Sequence, residues 1–354
     1  MTKADAKLFP AAVVGSMPRS QFVRDLLDPN VVEVDDAERA KQIDAAIDYI
    51  VALQERAGLD IITDGEYRRR SYIGIVADIA DGFALERQDG KWWHTVIEPL
   101  VVARPGLAAN EVGYVKARTS RQIKVALPSP YLLGTRMWDA KRSSAAYPTR
   151  KAFMEALAPL LRQELCMARD AGATIVQFDD PHLCLFVDPK VRSQFDDPQA
   201  EIDLCVGLLN DILRGVDGVT RALHLCRRNK GRDGWIGAGG YEPILPALQA
   251  LEVDQYVLEF TIPVAGELSV LKQLPEERQI GLGCVDCRNA VIDDAATIVG
   301  RVEKALEYLR PEQLVLNPDC GFAPGNAAEI PIDEAYAKLC NEAQAAEMLR
   351  QRFA

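Results

Sequence analysis

The sequence predicts an α/β protein of the (β/α)8 class, the TIM barrel, in which eight parallel strands alternate with helices. Short apolar segments recur along the 354 residues, amphipathic segments lie between most of them, and polar residues follow nearly every apolar segment. This alternation is typical of a parallel sheet covered by helices, and a chain of this length is within the range of one barrel. We therefore expect a single domain spanning residues 1–354.

The eight predicted strands are short apolar segments bounded by glycine, proline or charged residues. In chain order they are Ala11–Gly15, Leu59–Thr63, Gln122–Leu127, Thr174–Phe178, the segment around His224 and Cys226, Gln255–Phe260, Gln279–Val285 and Gln313–Leu316.

Apolar residues at helical spacing predict the intervening helices, of which the first two are closed by Gly58 and Gly172. The predicted ranges are 37–57, 150–171, 200–214, 242–251, a helix containing Ile298 and Val302, and 333–351. Residues 80–120 interrupt the alternation, with Trp92, Trp93 and His94 among several glycines and prolines. We expect a hairpin-like excursion or a lid there.

Composition excludes several classes of function. A net charge of -11 and a pI of about 5.0 argue against nucleic acid and anionic membranes as partners, because both require basic surfaces. No apolar segment approaches the roughly 20 residues that span a bilayer, and the first residues lack the apolar core of a signal peptide. We expect a cytoplasmic protein whose eight cysteines are buried or bind metal rather than form disulfides.

The active site of such a barrel lies at the carboxyl ends of its strands. Here those ends are rich in residues that bind substrates or metals, and no glycine-rich nucleotide-binding motif follows any strand. The candidates are Gly15, Ser16, Glu66, Ser129, Asp179, Asp180, His224, Cys226, Glu259, Asp286, Arg288 and Cys320.

His224 and Cys226 are two residues apart on one predicted strand, so both side chains point to the same face. Imidazole and thiolate are preferred zinc ligands, and a later cysteine with a carboxylate would complete a tetrahedral site. Cys320, in Asn317-Pro318-Asp319-Cys320-Gly321, is the candidate for that later cysteine.

With these motifs in place, the chain resembles the catalytic C-terminal barrel of cobalamin-independent methionine synthase and its short single-barrel relatives. The resemblance rests on five motifs spread along nearly the whole chain. They are Gly15-Ser16-Met17-Pro18-Arg19, Asp64-Gly65-Glu66, Gln177-Phe178-Asp179-Asp180-Pro181, His224-Leu225-Cys226 and Asn317-Pro318-Asp319-Cys320-Gly321.

The resemblance implies a zinc enzyme that transfers a methyl group to a small thiol such as homocysteine. It implies His224, Cys226, Glu259 and Cys320 as zinc ligands. It further implies that the loop at Gly15 and Ser16 holds the amino-acid end of the thiol and that Glu66 contacts it. Asp179 and Asp180 fall where acidic residues bind the amino acid and the pterin, and we add Ser129, at the end of the third strand, to the candidate substrate-binding residues.

One motif departs from the family. The methionine-synthesising members carry a histidine for proton transfer after the seventh strand, whereas this chain reads Asp286-Cys287-Arg288-Asn289. Asp286 and Arg288 are therefore the catalytic candidates there, yet a guanidinium does not exchange protons near neutrality. Alternative functions are a thiol transferase that uses an epoxide or a methyl-corrinoid, and a zinc-binding barrel without turnover. The oligomeric state, a homo-oligomer included, stays open.

Several other groups have structural interpretations. Cys284 and Cys287 form a C-x-x-C pair, which we interpret as buried thiols rather than a redox pair. The basic segments Arg68–Arg70 and Arg227–Arg232 are expected to face solvent. Trp138, soon after the third strand, is the tryptophan best placed to stack on a ligand.

Overall fold

The computed structural model describes residues 7–28, 31, 34–88, 91–323 and 330–353. Nine strands are present in this part of the chain. They are β1 (Ile61–Ile62), β2 (Ala80–Gln88), β3 (Lys91–Val102), β4 (Gln122–Pro128), β5 (Ile175–Asp179), β6 (Thr220–Leu225), β7 (Gln255–Glu259), β8 (Gln279–Val285) and β9 (Leu314–Pro318).

Twelve α-helices and four short 3-10 helices lie within the same ranges. The α-helices are α1 (Gln21–Leu27), α2 (Asp36–Ala57), α3 (Ile75–Ile79), α4 (Leu107–Lys116), α5 (Pro130–Met137), α6 (Arg150–Ala171), α7 (Pro181–Leu185), α8 (Pro189–Arg192), α9 (Pro198–Leu213), α10 (Leu245–Ala250), α11 (Ala295–Ala305) and α12 (Ile332–Phe353). The 3-10 helices are Gly231–Asp233, Glu242–Ile244, Leu268–Gln273 and Pro311–Gln313.

The predicted barrel fold is confirmed. Seven of the described strands form one parallel sheet in the order β1-β4-β5-β6-β7-β8-β9. The first predicted strand closes the ring as two bridging residues, because Ala11 pairs with Leu316 on β9 and Ala12 pairs with Ile61 on β1, both in parallel. β1 is shorter than predicted, because the backbone N–H of Thr63 donates to the side chain of Gln54 instead of to a neighbouring strand.

The long helices begin and end near their predicted limits because their boundaries are encoded locally. Asp35 and Thr149 accept hydrogen bonds from the first turns of α2 and α6, and Gly58 and Gly172 end these helices with φ of 94° and 110°. A side chain with a Cβ is strained at such positive φ values, so glycine is the favoured residue at both ends.

The excursion is an antiparallel hairpin of β2 and β3 followed by α4. The turn at residues 89–90 lies outside the described residues. The sequence did not predict α4, because its first turn has no side-chain cap of its own. Instead the buried carboxylate of Glu164 on α6 accepts the N–H groups of Gly106 and Ala108, at 2.5 and 3.1 Å. A cap from so far along the chain is invisible to local sequence patterns.

One end of the barrel interior is apolar, and its middle is polar. The apolar layer consists of small or branched side chains from five elements, namely Ala12, Ile61, Ile175, Ala222 and Val315. Above it, the buried ammonium of Lys124 donates to the Val13 carbonyl at 2.7 Å. The Gln177 amide donates to the Val14 carbonyl at 3.1 Å. These two bonds attach the closing segment to β4 and β5.

The helices among the described residues are all too short or too polar to span a membrane.

Arg69 corrects the expectation that the first basic segment faces solvent. Its guanidinium is buried, with hydrogen bonds to both carboxylate oxygens of Glu111 on α4, at 2.9 and 2.5 Å, and to the Ala126 carbonyl on β4, at 2.7 Å. The pair attaches the excursion to the barrel.

We expect Arg69→Ala to lower the free energy of unfolding by about 3–5 kcal/mol, because it leaves the Glu111 carboxylate buried without its partner. The control is Arg104→Ala, which removes an exposed ion pair with Asp81 and should cost about 0–1 kcal/mol. Urea unfolding followed by circular dichroism measures both. Equal losses in the two variants would show that the buried pair contributes no more than a surface pair.

Candidate metal centre and active site

The candidate site lies at the carboxyl ends of the strands, where the register brings polar residues of neighbouring strands together. Asp179, the last residue of β5, is directly opposite His224 on β6. The Nδ1 atom of His224 lies 3.1 Å from Asp179 Oδ1, and the same oxygen accepts a hydrogen bond from the Gln177 amide at 2.8 Å. These contacts fix the orientation of the imidazole ring.

His224, Cys226 and Cys320 form a group of three potential metal ligands. One ligand atom from each lies within 4.8 Å of the other two, and all three residues are buried. His224 Nε2 is buried and has no hydrogen-bond partner among the described residues. A buried nitrogen without a partner is costly unless a ligand satisfies it, and one nitrogen with two sulfurs is a donor set that zinc prefers. The residues therefore fit a zinc ion.

Neighbouring charges and burial shift the pKa values of all three groups. Burial alone lowers the pKa of His224, but the neighbouring Cys226 and Asp179 raise it to about 9. A hydrogen bond from the Cys320 thiol, opposed by burial, lowers the pKa of Cys226 to about 7, and the same hydrogen bond together with burial raises the pKa of Cys320. Of the two thiols, Cys226 therefore loses its proton more readily than Cys320.

Glu259, the fourth predicted ligand, is not part of this group. It ends β7 and is completely buried, but its carboxylate is engaged elsewhere. One oxygen accepts the backbone N–H of Arg227 at 2.8 Å, and the other contacts the guanidinium of Arg288. Arg288 also lies 3.3 Å from Asp319, and burial raises the pKa of Asp319 to about 7 against the effect of Arg288.

The two catalytic candidates after β8 have different environments. Asp286 accepts the backbone N–H of Arg288 at 2.7 Å and the side-chain amide of Asn289 at 2.5 Å, so it shapes the loop. Arg288 is buried between two carboxylates and is held as a cation.

The candidate substrate loop packs against the last motif. The Ser16 hydroxyl accepts the N–H of Ala323 at 3.2 Å, and the Ser16 carbonyl accepts the N–H of Phe322 at 2.9 Å. A Cβ on Gly321 would lie 2.3 Å from the Ser16 hydroxyl, so this close approach requires glycine. A Cβ on Gly15 would likewise lie 2.7 Å from Glu66 Oε1.

Glu66 is held in an unfavourable backbone conformation and environment. Its φ is 60°, which is unusual for a residue with a Cβ, and burial raises the pKa of its carboxyl to about 7. Strain and a shifted pKa together are typical of functional residues.

Ser129 and Asp180, both predicted to bind substrate, are completely buried and begin helices. The Ser129 hydroxyl accepts the Leu132 N–H at 3.0 Å and donates to Asp180 at 2.6 Å. Asp180 also accepts the Leu183 N–H at 2.8 Å and the Cys205 thiol at 3.0 Å. Their hydrogen bonds position α5 and α7 at the rim of the barrel. These two helices were not predicted, because both are short and start directly at a strand end.

A cavity of about 340 Å³ opens beside this site, between α1, the loop after β1, the hairpin and α5. Its lining combines cations with aromatic and aliphatic side chains, among them Arg19, Arg70, Arg136, Ile73, Trp92, Trp93 and His94. The Arg136 guanidinium lies 4.1 Å from the centre of the Trp93 ring. The hairpin tryptophans therefore contribute to a cavity that periodicity could not reveal. Trp138, by contrast, packs on the core and donates to the Tyr147 carbonyl at 3.0 Å.

Other sequence interpretations have mixed outcomes. Cys284 and Cys287 are free thiols, and burial raises the pKa of both, as expected for unreactive cysteines. The expectation that Arg227 faces solvent is wrong, because its guanidinium is buried against Tyr241 and the carbonyls of Gly239 and Ala265.

We expect Glu66→Gln to change how stability depends on pH. The native pKa of Glu66 is raised from 4.5 to about 7, so the wild-type protein loses stability as pH rises through this interval, and a glutamine does not. The free energy of unfolding of Glu66→Gln, relative to that of the wild-type protein, should therefore rise by on the order of 2 kcal/mol between pH 5 and pH 8. Urea unfolding at both pH values measures it, and parallel changes in the two proteins would contradict a raised pKa.

Comparisons with known proteins agree with this architecture. Residues 9–348 match the family model described as the catalytic domain of cobalamin-independent synthase. The methionine synthase of Pyrococcus horikoshii is 28% identical over 98% of this chain and 94% of its own length, and that of Sulfolobus acidocaldarius is 26% identical with the same coverage.

Solved structures show the same fold. A B12-independent methionine synthase from Shewanella sp. W3-18-1, in complex with selenomethionine, superposes with a TM-score of 0.80 at 20% identity, covering 98% of this chain and 99% of that one. A putative vitamin-B12 independent methionine synthase from Listeria monocytogenes gives 0.74 at 24% identity, covering 97% and 99%. The chain therefore belongs to the cobalamin-independent methionine synthase family, and the match is to the catalytic domain of that family.

Proposed function

We propose that this protein is a zinc-dependent S-methyltransferase that methylates homocysteine, and that it acts as a single catalytic domain in the cytoplasm. The observation that carries the proposal is the group of His224, Cys226 and Cys320, with an unpartnered His224 nitrogen, at the active-site end of a barrel of this family. Zinc, when bound, would supply the positive charge that keeps a substrate thiol ionised at neutral pH.

The side chains around the centre fit an amino-acid thiol. The carboxylates of Glu66 and Asp179 lie close enough for each charge to affect the other. Two carboxylates in a buried site favour a ligand that carries an ammonium group. The Arg19 guanidinium donates to the Glu66 carbonyl at 2.6 Å, and its Nε is buried without a partner among the described residues. We propose that Arg19 binds the carboxylate of the amino acid and that Glu66 and Asp179 bind its ammonium group.

The methyl donor would occupy the neighbouring cavity. Arg19 and Ala323 line the cavity and also bond to the Glu66 and Ser16 segments, so the cavity adjoins the proposed thiol site. Its four arginines outnumber its two acids, Asp25 and Asp28, and together with the aromatic rings they favour a donor with anionic groups and a flat apolar portion.

A second candidate donor is a methyl-corrinoid. Arg288, which stands where the family has its proton-transferring histidine, is buried in two ion pairs and keeps its proton. A donor whose leaving group departs without a proton suits this site better than methyl-folate, whose leaving nitrogen needs one.

We expect the purified protein to bind about one zinc per chain. Cys320→Ser should abolish tight binding, because it removes a thiolate ligand. Asp179→Ala should weaken binding about 10–100-fold, because it removes the acceptor that orients His224. Metal analysis and competition with a chelator measure these effects, with Cys166→Ser, a thiol outside the group, as the matched control. Unchanged zinc content in Cys320→Ser would contradict the proposed centre.

We expect methyl transfer to homocysteine from one of two donors, methyl-tetrahydrofolate or methylcobalamin. Arg136→Gln should raise the KM for the donor at least about tenfold, since charged contacts of this kind are worth over 1 kcal/mol, and leave the KM for homocysteine unchanged. The control is Arg142→Gln, which removes an ion pair with Glu86, because neither of these residues lines the cavity. Product analysis identifies the donor. Zinc binding without turnover by either donor would favour a non-catalytic barrel or an epoxide donor.

A further inference from the structure

The Arg288–Glu259 contact bears on how many protein ligands the metal has. One Glu259 oxygen contacts the Arg288 guanidinium, and the other accepts the backbone N–H of Arg227 at 2.8 Å. The Arg227 guanidinium also contacts this second oxygen, at 3.5 Å. Both oxygens of this buried carboxylate are therefore engaged. His224 Nε2, in contrast, has no partner among the described residues.

Arg288 is itself held rigidly. Its backbone N–H donates to Asp286 at 2.7 Å, and its Nη1 lies 3.3 Å from Asp319. Asp319 in turn accepts the N–H groups of Phe260 and Thr261 at 3.0 and 3.2 Å. Gly283 on β8 pairs with Glu259, and a Cβ at this position would lie 2.4 Å from an oxygen of Asp319. Only glycine therefore leaves room for Asp319 in this arrangement. The guanidinium is fixed before any ligand arrives.

We propose that Arg288 is a positioning residue that keeps Glu259 as its counter-ion, so that the metal is held by three protein groups, His224, Cys226 and Cys320. If Glu259 moved to the metal, the Arg288 cation would be left buried beside one carboxylate instead of two, at a large cost in free energy. Three protein ligands leave one position open. A thiol would then join the site without displacing a protein ligand.

This inference rests on the metal site proposed above, and the two fail separately. If the wild-type protein binds no zinc, the site itself is wrong. If zinc binds but Glu259 is needed for it, only the role of Arg288 is wrong.

The test compares zinc affinity, by chelator competition, in Glu259→Gln, Cys320→Ser and the wild-type protein. The amide can still accept the Arg227 N–H, so Glu259→Gln should change affinity by less than about threefold, whereas Cys320→Ser should lower it by at least about 100-fold. With cobalt in place of zinc, the visible spectrum of Glu259→Gln should match the wild type. A loss in Glu259→Gln similar to that in Cys320→Ser would overturn the proposal.

A second variant, Arg288→Met, tests the role of Arg288 if Glu259→Gln does not fold. Arg288→Met frees the Glu259 carboxylate, which should then join the metal, shift the cobalt spectrum and tighten zinc binding by about tenfold. Circular dichroism verifies the fold, and Arg214→Met, which removes an exposed ion pair with Glu252, is the matched control. An Arg288→Met protein with wild-type affinity and spectrum would show that Arg288 does not hold Glu259 away from the metal.

Discussion

The parallel register between β5 and β6 is the constraint on which the site depends. It places Asp179 directly opposite His224, so that the carboxylate meets Nδ1, while Nε2 has no hydrogen-bond partner among the described residues. A shift of one residue would turn His224 to the opposite face of the sheet and away from Cys226's partner, Cys320. The apolar layer at the other end of the barrel fixes that register, because its members, Ile175 and Ala222 among them, must all face inwards.

Buried charges lie around the candidate site as well as in other parts of the core, such as the Arg69–Glu111 pair. Lys124, Glu259, Arg288 and Asp319 are all inaccessible or nearly so, and each has a partner of opposite charge or a backbone carbonyl. Such groups contribute little net stability compared with apolar side chains of the same size. These groups instead fix the geometry of the site, because a buried ion with several partners has one orientation and reorganises little when a ligand binds.

The sequence predicted the barrel because its strands and long helices are marked by local patterns. Gly58 and Gly172 end helices at their expected positions, and all three residues of the metal group stood in recognisable motifs. What local patterns cannot contain is a partner from a distant segment. The cap of α4 by Glu164, the burial of Arg69 on Glu111 and the capture of Glu259 by Arg288 each join residues that only the folded chain brings together. Ser129 and Asp180 stood at the right strand ends, but their hydrogen bonds begin helices.

The closure of the barrel by Ala11 and Ala12 sets the order in which the site can assemble during synthesis. The closing segment at Ala11 is made long before its partner Leu316. Ser16 lies shortly after Ala11, and Cys320 lies shortly after Leu316. The pairing of these two segments therefore also brings the Ser16 loop to the segment that carries Cys320. On the ribosome, a half-made chain therefore carries His224 and Cys226 without Cys320 and without the Ser16 contact. The three residues of the metal group therefore come together only after the segment that carries Cys320 has been made.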